Sequence, residues 1–174
     1  MQETNVYLIG FMGAGKSTVA PILADNLDLE WVDTDRLVEE KHGLTIPEIF
    51  KYYGEGRFRE IEREVIEEVS RHGPQVIAVG GGAPMDDANW DILQSTGVVV
   101  YLEVGPDEVL TRIGSDGNRP LLAGLSEEER KKKVNSLLKK RHPRYNKADH
   151  VVFCNGTGAT ELADRITRRL KGKE

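Results

Sequence analysis

The residues with the most to offer chemically are Gly10-Phe11-Met12-Gly13-Ala14-Gly15-Lys16-Ser17, followed by Thr18. Glycines at this spacing let successive backbone N–H groups curl around an anion, Lys16 adds a cation facing the outer phosphates, and Ser17 offers a hydroxyl to Mg²⁺. The segment follows the apolar run Val6 to Ile9 and opens a helical stretch from Thr18 to Leu27, which is the strand, loop and helix order of a phosphate nest. A purely structural glycine turn would leave the Lys-Ser pair to coincidence. Gly13, Ala14, Gly15, Lys16, Ser17 and Thr18 are therefore the expected nucleotide contacts.

Five further groups could serve the same chemistry. Asp33-Thr34-Asp35 holds two carboxylates one residue apart, and phosphoryl transfer to an alcohol calls for one acid near the metal and one near the acceptor hydroxyl. In an extended segment both would face one side; the competing reading is that they cap a helix beginning near Arg36. Gly80-Gly81-Gly82 would let a ligand approach the backbone closely, or would simply form a flexible turn. Arg59 and Glu62, at i and i+3 on a helix with Phe58, Ile61, Val65 and Val69, form either a solvated ion pair or a guanidinium aimed at a substrate carboxylate. Arg141 falls on the inward stripe of Val134, Leu137 and Leu138, where arginine calls for an anionic partner, while Lys139, Lys140, Arg144 and the run Arg130 to Lys133 read mainly as solvent face. Between Gly114 and Gly124 lies a loop carrying Arg119, suited to a lid that excludes water and delivers a cation to a transferring phosphoryl group.

These groups need a frame. Five short apolar segments read as strands: Val6 to Ile9, Trp31 to Val32, Val76 to Val79, Val98 to Leu102 and Val151 to Phe153. Helical patterns alternate with them, which implies an α/β fold with a parallel sheet covered by helices on both faces. Ligands of such sheets sit beyond the carboxyl ends of the strands, where the phosphate loop, the aspartates and the glycines all fall. Thr45 with Glu48, and Ser126 with Glu129, form capping boxes; Gly105-Pro106 starts a further helix. Pro21 interrupts the first helical stretch and should kink it.

The composition suits one soluble domain. The chain has 174 residues, 39% hydrophobic and 30% charged, with a net charge of −5 that argues against nucleic acid as main partner. No apolar stretch approaches membrane-spanning length, and the N-terminal residues lack the basic lead of a signal peptide, so a cytoplasmic protein is expected. The lone Cys154 sits in an apolar run and reads as core.

Taken together, Gly10 to Thr18, Asp33 to Asp35, Phe58-Arg59 with Glu62, Gly80 to Gly82, Arg119-Pro120-Leu121-Leu122, and Arg141 with Pro143 and Tyr145 resemble shikimate kinase across nearly the whole chain. The resemblance implies the fold of the nucleoside monophosphate kinases: one P-loop domain, residues 1–174, with a five-stranded parallel sheet in the order 2-3-1-4-5. It would carry a substrate-binding helical segment at about 35–62 and a lid loop at about 114–124. The implied reaction moves the γ-phosphoryl of ATP to the 3-hydroxyl of shikimate, in aromatic amino-acid biosynthesis. By resemblance Asp35 binds the substrate hydroxyls and acts as base, Asp33 and Ser17 hold Mg²⁺, and Arg59 and Arg141 grip the substrate carboxylate. Gly80, Gly81 and Gly82 back the ring, Arg119 reaches the phosphates, Lys16 sits on the transferring group, and Arg112 with Asn155 to Thr157 lies near adenine. A monomer without nucleic-acid or membrane partners is implied. Pro21 and Asn146-Lys147 depart from the family pattern. Two rivals are a related kinase of another hydroxylated acid, such as gluconate, and a module that binds ATP without phosphorylating a metabolite.

Overall fold

A computed structural model describes residues 4–114 and 120–172. Five strands, β1 (Asn5–Ile9), β2 (Glu30–Asp33), β3 (Gln75–Ala78), β4 (Gly97–Glu103) and β5 (His150–Phe153), form one sheet in the order β2-β3-β1-β4-β5. Every pairing is parallel. β1 is the central strand, with Val6, Tyr7 and Leu8 registered against Val76, Ile77 and Ala78 of β3 and against Val98, Val99 and Val100 of β4. All five of its residues are buried, as the unbroken apolar run requires of a strand covered on both sides.

Alternate residues of β1 feed two separate cores, because successive strand side chains point to opposite faces. Val6 and Leu8 pack with Val19 and Leu23 of α1 (Lys16–Leu27) and Leu162 and Ile166 of α7 (Ala159–Leu170). Tyr7 and Ile9 face Ile61 and Val65 of α3 (Ile46–Val69) and Trp90 and Leu93 of α4 (Asp87–Thr96). Each fully buried side chain of this size stabilises the fold by about 1.5–3 kcal/mol. Cys154 is buried in the first core, and burial pushes its thiol up to about 11.

The remaining helices are α2 (Thr34–His42), α5 (Pro106–Ile113) and α6 (Glu127–Tyr145). Both capping boxes are formed, Thr45 with Glu48 at α3 and Ser126 with Glu129 at α6, and Pro106 lies in the first turn of α5. One expectation needs correction. α1 runs unbroken through Pro21, which forgoes only the bond its missing amide would make to the Ser17 carbonyl. In α3 the helical path is broken instead at Gly54, whose φ of 80° and ψ of 170° favour a residue without Cβ, so the chain before and after it forms two helical arms. On the basic face of α6, Lys131, Lys132, Lys133, Lys139 and Lys140 are exposed as expected; Arg144 instead lies half-buried over the Trp90 ring and pairs with Asp87, while Arg130 donates to the Gly114 carbonyl at 2.9 Å.

Candidate active site

At the carboxyl end of β1 the chain turns into the glycine loop. Gly13 and Gly15 take φ of 77° and 93°, and α1 opens on Gly15 with no side-chain cap. A helix opening in this way presents its first-turn N–H groups to an anion. The Lys16 ammonium arches back over the loop, donating to the carbonyls of Gly10 at 2.7 Å and Phe11 at 3.1 Å. Gly10 itself is required by close approach, since a Cβ there would lie 2.6 Å from the Leu102 carbonyl oxygen of β4.

Gly13 to Thr18 line a cleft of about 460 Å³ together with Asp33, Asp35, Arg112 and Thr157. Arg112 is fixed at its rim, donating to the carbonyls of Gly13 at 3.2 Å and Ala14 at 3.3 Å while pairing with Glu108. Of the segment 155–157, Thr157 faces the cleft; Asn155 instead accepts from the Gly105 N–H at 2.9 Å and braces the loop after β4.

The two aspartates do not share an extended segment, as the i, i+2 spacing had suggested. β2 ends at Asp33 and α2 begins at Thr34, so Asp35 stands in the first helical turn. Asp33 caps α2 and also faces Ser17. Its Oδ1 accepts from the N–H groups of Asp35 at 3.0 Å and Arg36 at 3.3 Å, while its Oδ2 accepts from the Ser17 hydroxyl. Ser17 and Asp33 thus bring a hydroxyl and a carboxylate oxygen together beside Lys16, a hard-oxygen pair that fits Mg²⁺ bound mainly through phosphates and water.

A second chamber of about 110 Å³ adjoins the first, and Met12, Asp35 and Gly81 line both. Its walls are apolar at Phe50 and Phe58, whose ring centroids lie 4.8 Å apart, and cationic at Arg59 and Arg141. Arg141 is only 5% exposed and lies over the Phe11 ring at 5.4 Å. Arg59 donates to Glu62 at 2.8 Å and to the exposed Glu55 at 3.2 Å. Glu62 is 1% exposed, which removes the solvated-face reading of this pair. Burial pushes its carboxyl up to about 7, against the opposing pull of Arg59.

The three glycines make room for these side chains as much as for a ligand. A Cβ on Gly80 would lie 2.7 Å from Glu62 Oε1 and 2.8 Å from Asp35 Oδ1; one on Gly82 would strike the Arg59 guanidinium at 2.6 Å; one on Gly81 would crowd Arg141 at 3.4 Å. Thr34 and Tyr145 fasten this strip, the first accepting from the Gly80 N–H at 3.0 Å and the second donating to the Gly81 carbonyl at 2.5 Å. Arg119 lies outside the described residues. The residues that follow it, Pro120 and Leu121, line the second chamber.

Reading the residues alone missed Met12, Phe50, Thr34 and the burial of Glu62. Only Phe50 carried a signal, as an apolar residue on a capped helix; the others depend on which elements meet.

The chain matches the shikimate kinase family over residues 12–171. The chain belongs to that family. Shikimate kinases of Synechococcus sp. (strain RCC307) and Halorhodospira halophila are 42% and 43% identical to it, over 99% and 98% of this chain and 87% and 95% of theirs. The structure of shikimate kinase from Acinetobacter baumannii in complex with shikimate superposes with a TM-score of 0.94 at 39% identity, covering 99% of this chain and 95% of that one. The shared architecture extends to deoxyadenosine kinase from M. mycoides, TM-score 0.62 at 13% identity, which speaks for the fold alone. The five-stranded order expected of the nucleoside monophosphate kinase fold is the one found. Membership in the shikimate kinase family makes this protein an ATP-dependent kinase with Mg²⁺ as cofactor.

Proposed function

We propose that this protein transfers the γ-phosphoryl of ATP to the 3-hydroxyl of shikimate, with the nucleotide in the larger chamber and shikimate in the smaller. The observation that carries the reading is the seam between them: Asp35 and Gly81 line both chambers, so a phosphate held by the glycine loop and an alcohol held by Asp35 would meet there.

In this assignment Arg59 and Arg141 take the substrate carboxylate, and the strip Gly80 to Gly82 backs the ring. Asp35 accepts the proton of the 3-hydroxyl as that oxygen forms its bond to the γ-phosphorus, and the bond to the bridging oxygen breaks to release ADP. Lys16 and the loop amides stabilise the charge on the phosphoryl group in transit. Mg²⁺ on Ser17 and Asp33 would supply neutralising charge to the phosphates. Arg112 and Thr157 border the adenine, residues 35–62 form the substrate-binding segment, and the loop 114–124 with Arg119 is the lid. The protein acts as a monomer in the cytoplasm on a small molecule; its net charge of −5 supports a partner that is neither nucleic acid nor anionic membrane. Among the described residues no helix is long and apolar enough to cross a membrane.

The test is ADP release measured with shikimate, gluconate and nucleoside monophosphates, with and without Mg²⁺. Rapid, Mg²⁺-dependent release with shikimate alone is expected. Faster turnover of gluconate or of a nucleotide would overturn the substrate, and absence of shikimate-dependent ADP would leave a nucleotide-binding module.

A further inference from the structure

The second chamber contains more acid than a carboxylate clamp needs. Two arginines, Arg59 and Arg141, face two buried or half-buried acids, Asp35 and Glu62, so the chamber is electrically balanced before any substrate arrives. Glu62 uses its two oxygens differently. Oε2 accepts from Arg59, whereas Oε1 turns to the space beneath Gly80 that it shares with Asp35 Oδ1. Because each of these oxygens lies within 2.8 Å of the same point, the two acids are close neighbours. An incoming carboxylate would add a third negative charge beside Glu62, which is itself 1% exposed, and like charges are costly next to a buried acid.

We propose that Glu62 is a proton-coupled positioning residue: it takes up a proton when the substrate carboxylate docks on Arg59 and Arg141, keeping the chamber neutral and leaving Asp35 to receive the hydroxyl proton. This rests on the assignment of those two arginines as the clamp. The proton belongs on Oε1, where it faces Asp35 and leaves the Arg59 contact on Oε2 in place. The groups around Glu62 are Arg59 on its own helix α3, with Glu55 beyond it; Asp35 on α2; and Arg141 and Tyr145 on α6. Binding takes part of the Arg59 charge away from Glu62 and brings a further anion near, and both changes favour the neutral acid. Without substrate Glu62 titrates at about 7, so it is poised to respond near neutrality. Two acids driven apart in this way can take different roles in one site.

By linkage, shikimate affinity should be level below pH 7 and weaken above it, by up to about tenfold per pH unit until the midpoint of the liganded protein is passed. Calorimetric titration of the whole protein with shikimate, near pH 8 in two buffers of different ionisation enthalpy, should show uptake approaching one proton per shikimate bound. Glu62→Gln should bind shikimate with little uptake, and Asp35→Asn, which removes one of the chamber's two negative charges, should reduce the uptake as well. Equal uptake by Glu62→Gln, or a wild-type affinity that is flat from about pH 6 to 9, would overturn the proposal; the second needs no variant to fold. Failure of the clamp itself would look different: Arg141→Ala would bind shikimate as tightly as the wild type.

Discussion

Asp35 is the proposed base, and its position owes less to its own spacing than to a helix boundary. Because Asp33 ends β2 and caps α2, Asp35 is carried into the first turn and set on the seam between the chambers. Asp35→Asn should lower kcat by about a hundredfold or more while nucleotide binding stays intact, the usual worth of a positioned base. Stopped-flow or steady-state turnover beside a nucleotide titration would check it, and near-normal turnover would remove Asp35 from that role. Arg141→Ala should act on shikimate instead, raising its KM with the ATP KM unchanged, because it removes a contact made before and during transfer. At this scale the sequence was informative wherever residue type alone restricts chemistry: the glycine loop with Lys16 and Ser17, the paired acids, the inward Arg141. It was silent where a role depends on burial, and Glu62 is the clearest case. Its spacing from Arg59 permits an ion pair, yet only the packing of α3 against the sheet makes that pair a buried one.

Elements were legible to different degrees for physical reasons. Strands covered on both faces need continuous apolar residues, which marks β1, β3 and β4, whereas the partly exposed edge strands β2 and β5 show only a short apolar pair or triplet; capping boxes announce helix starts through a residue pair three apart, and both were found. Pro21 reverses expectation, and Gly54 breaks a helix that carried no such signal. A proline inside a helix need not break it when packing holds both sides, whereas a glycine costs little in an exposed helix until the chain adopts a conformation that only glycine takes easily. Gly97 shows a constraint of another kind, set by neighbours rather than by φ. It begins β4 beside β1, where a Cβ would collide with the Asn5 carbonyl and lie 2.7 Å from the Tyr7 ring. Gly97→Ala should therefore cost about 1–3 kcal/mol of stability through overpacking. Urea unfolding would read this as a lower midpoint, and the kinetics of the remaining folded enzyme should be unchanged, since Gly97 lies at the amino end of the strand, away from the site. A wild-type midpoint would show that the strands can part there without penalty.

For the whole molecule, alternation of strands and helices is enough to predict a parallel sheet with helices on both faces, but not the order of its strands. Local periodicity records what each strand buries and nothing of which strand lies beside it; the order 2-3-1-4-5 came from the resemblance of the site motifs and is the order observed. That order matters because it seats the glycine loop of β1 between the ends of β3 and β4, with Asp33 of β2 just beyond β3. Motifs 16 to 124 residues from Ser17 in the chain thereby converge at the carboxyl ends of the strands, where two chambers share a wall. The most direct test is a structure of the protein with Mg²⁺, an unreactive ATP analogue and shikimate. The account predicts the shikimate 3-hydroxyl within about 3 Å of the Asp35 carboxylate and facing the terminal phosphate, with the substrate carboxylate on Arg59 and Arg141. Shikimate seated elsewhere, or turned so that its carboxylate meets the glycine loop, would contradict it.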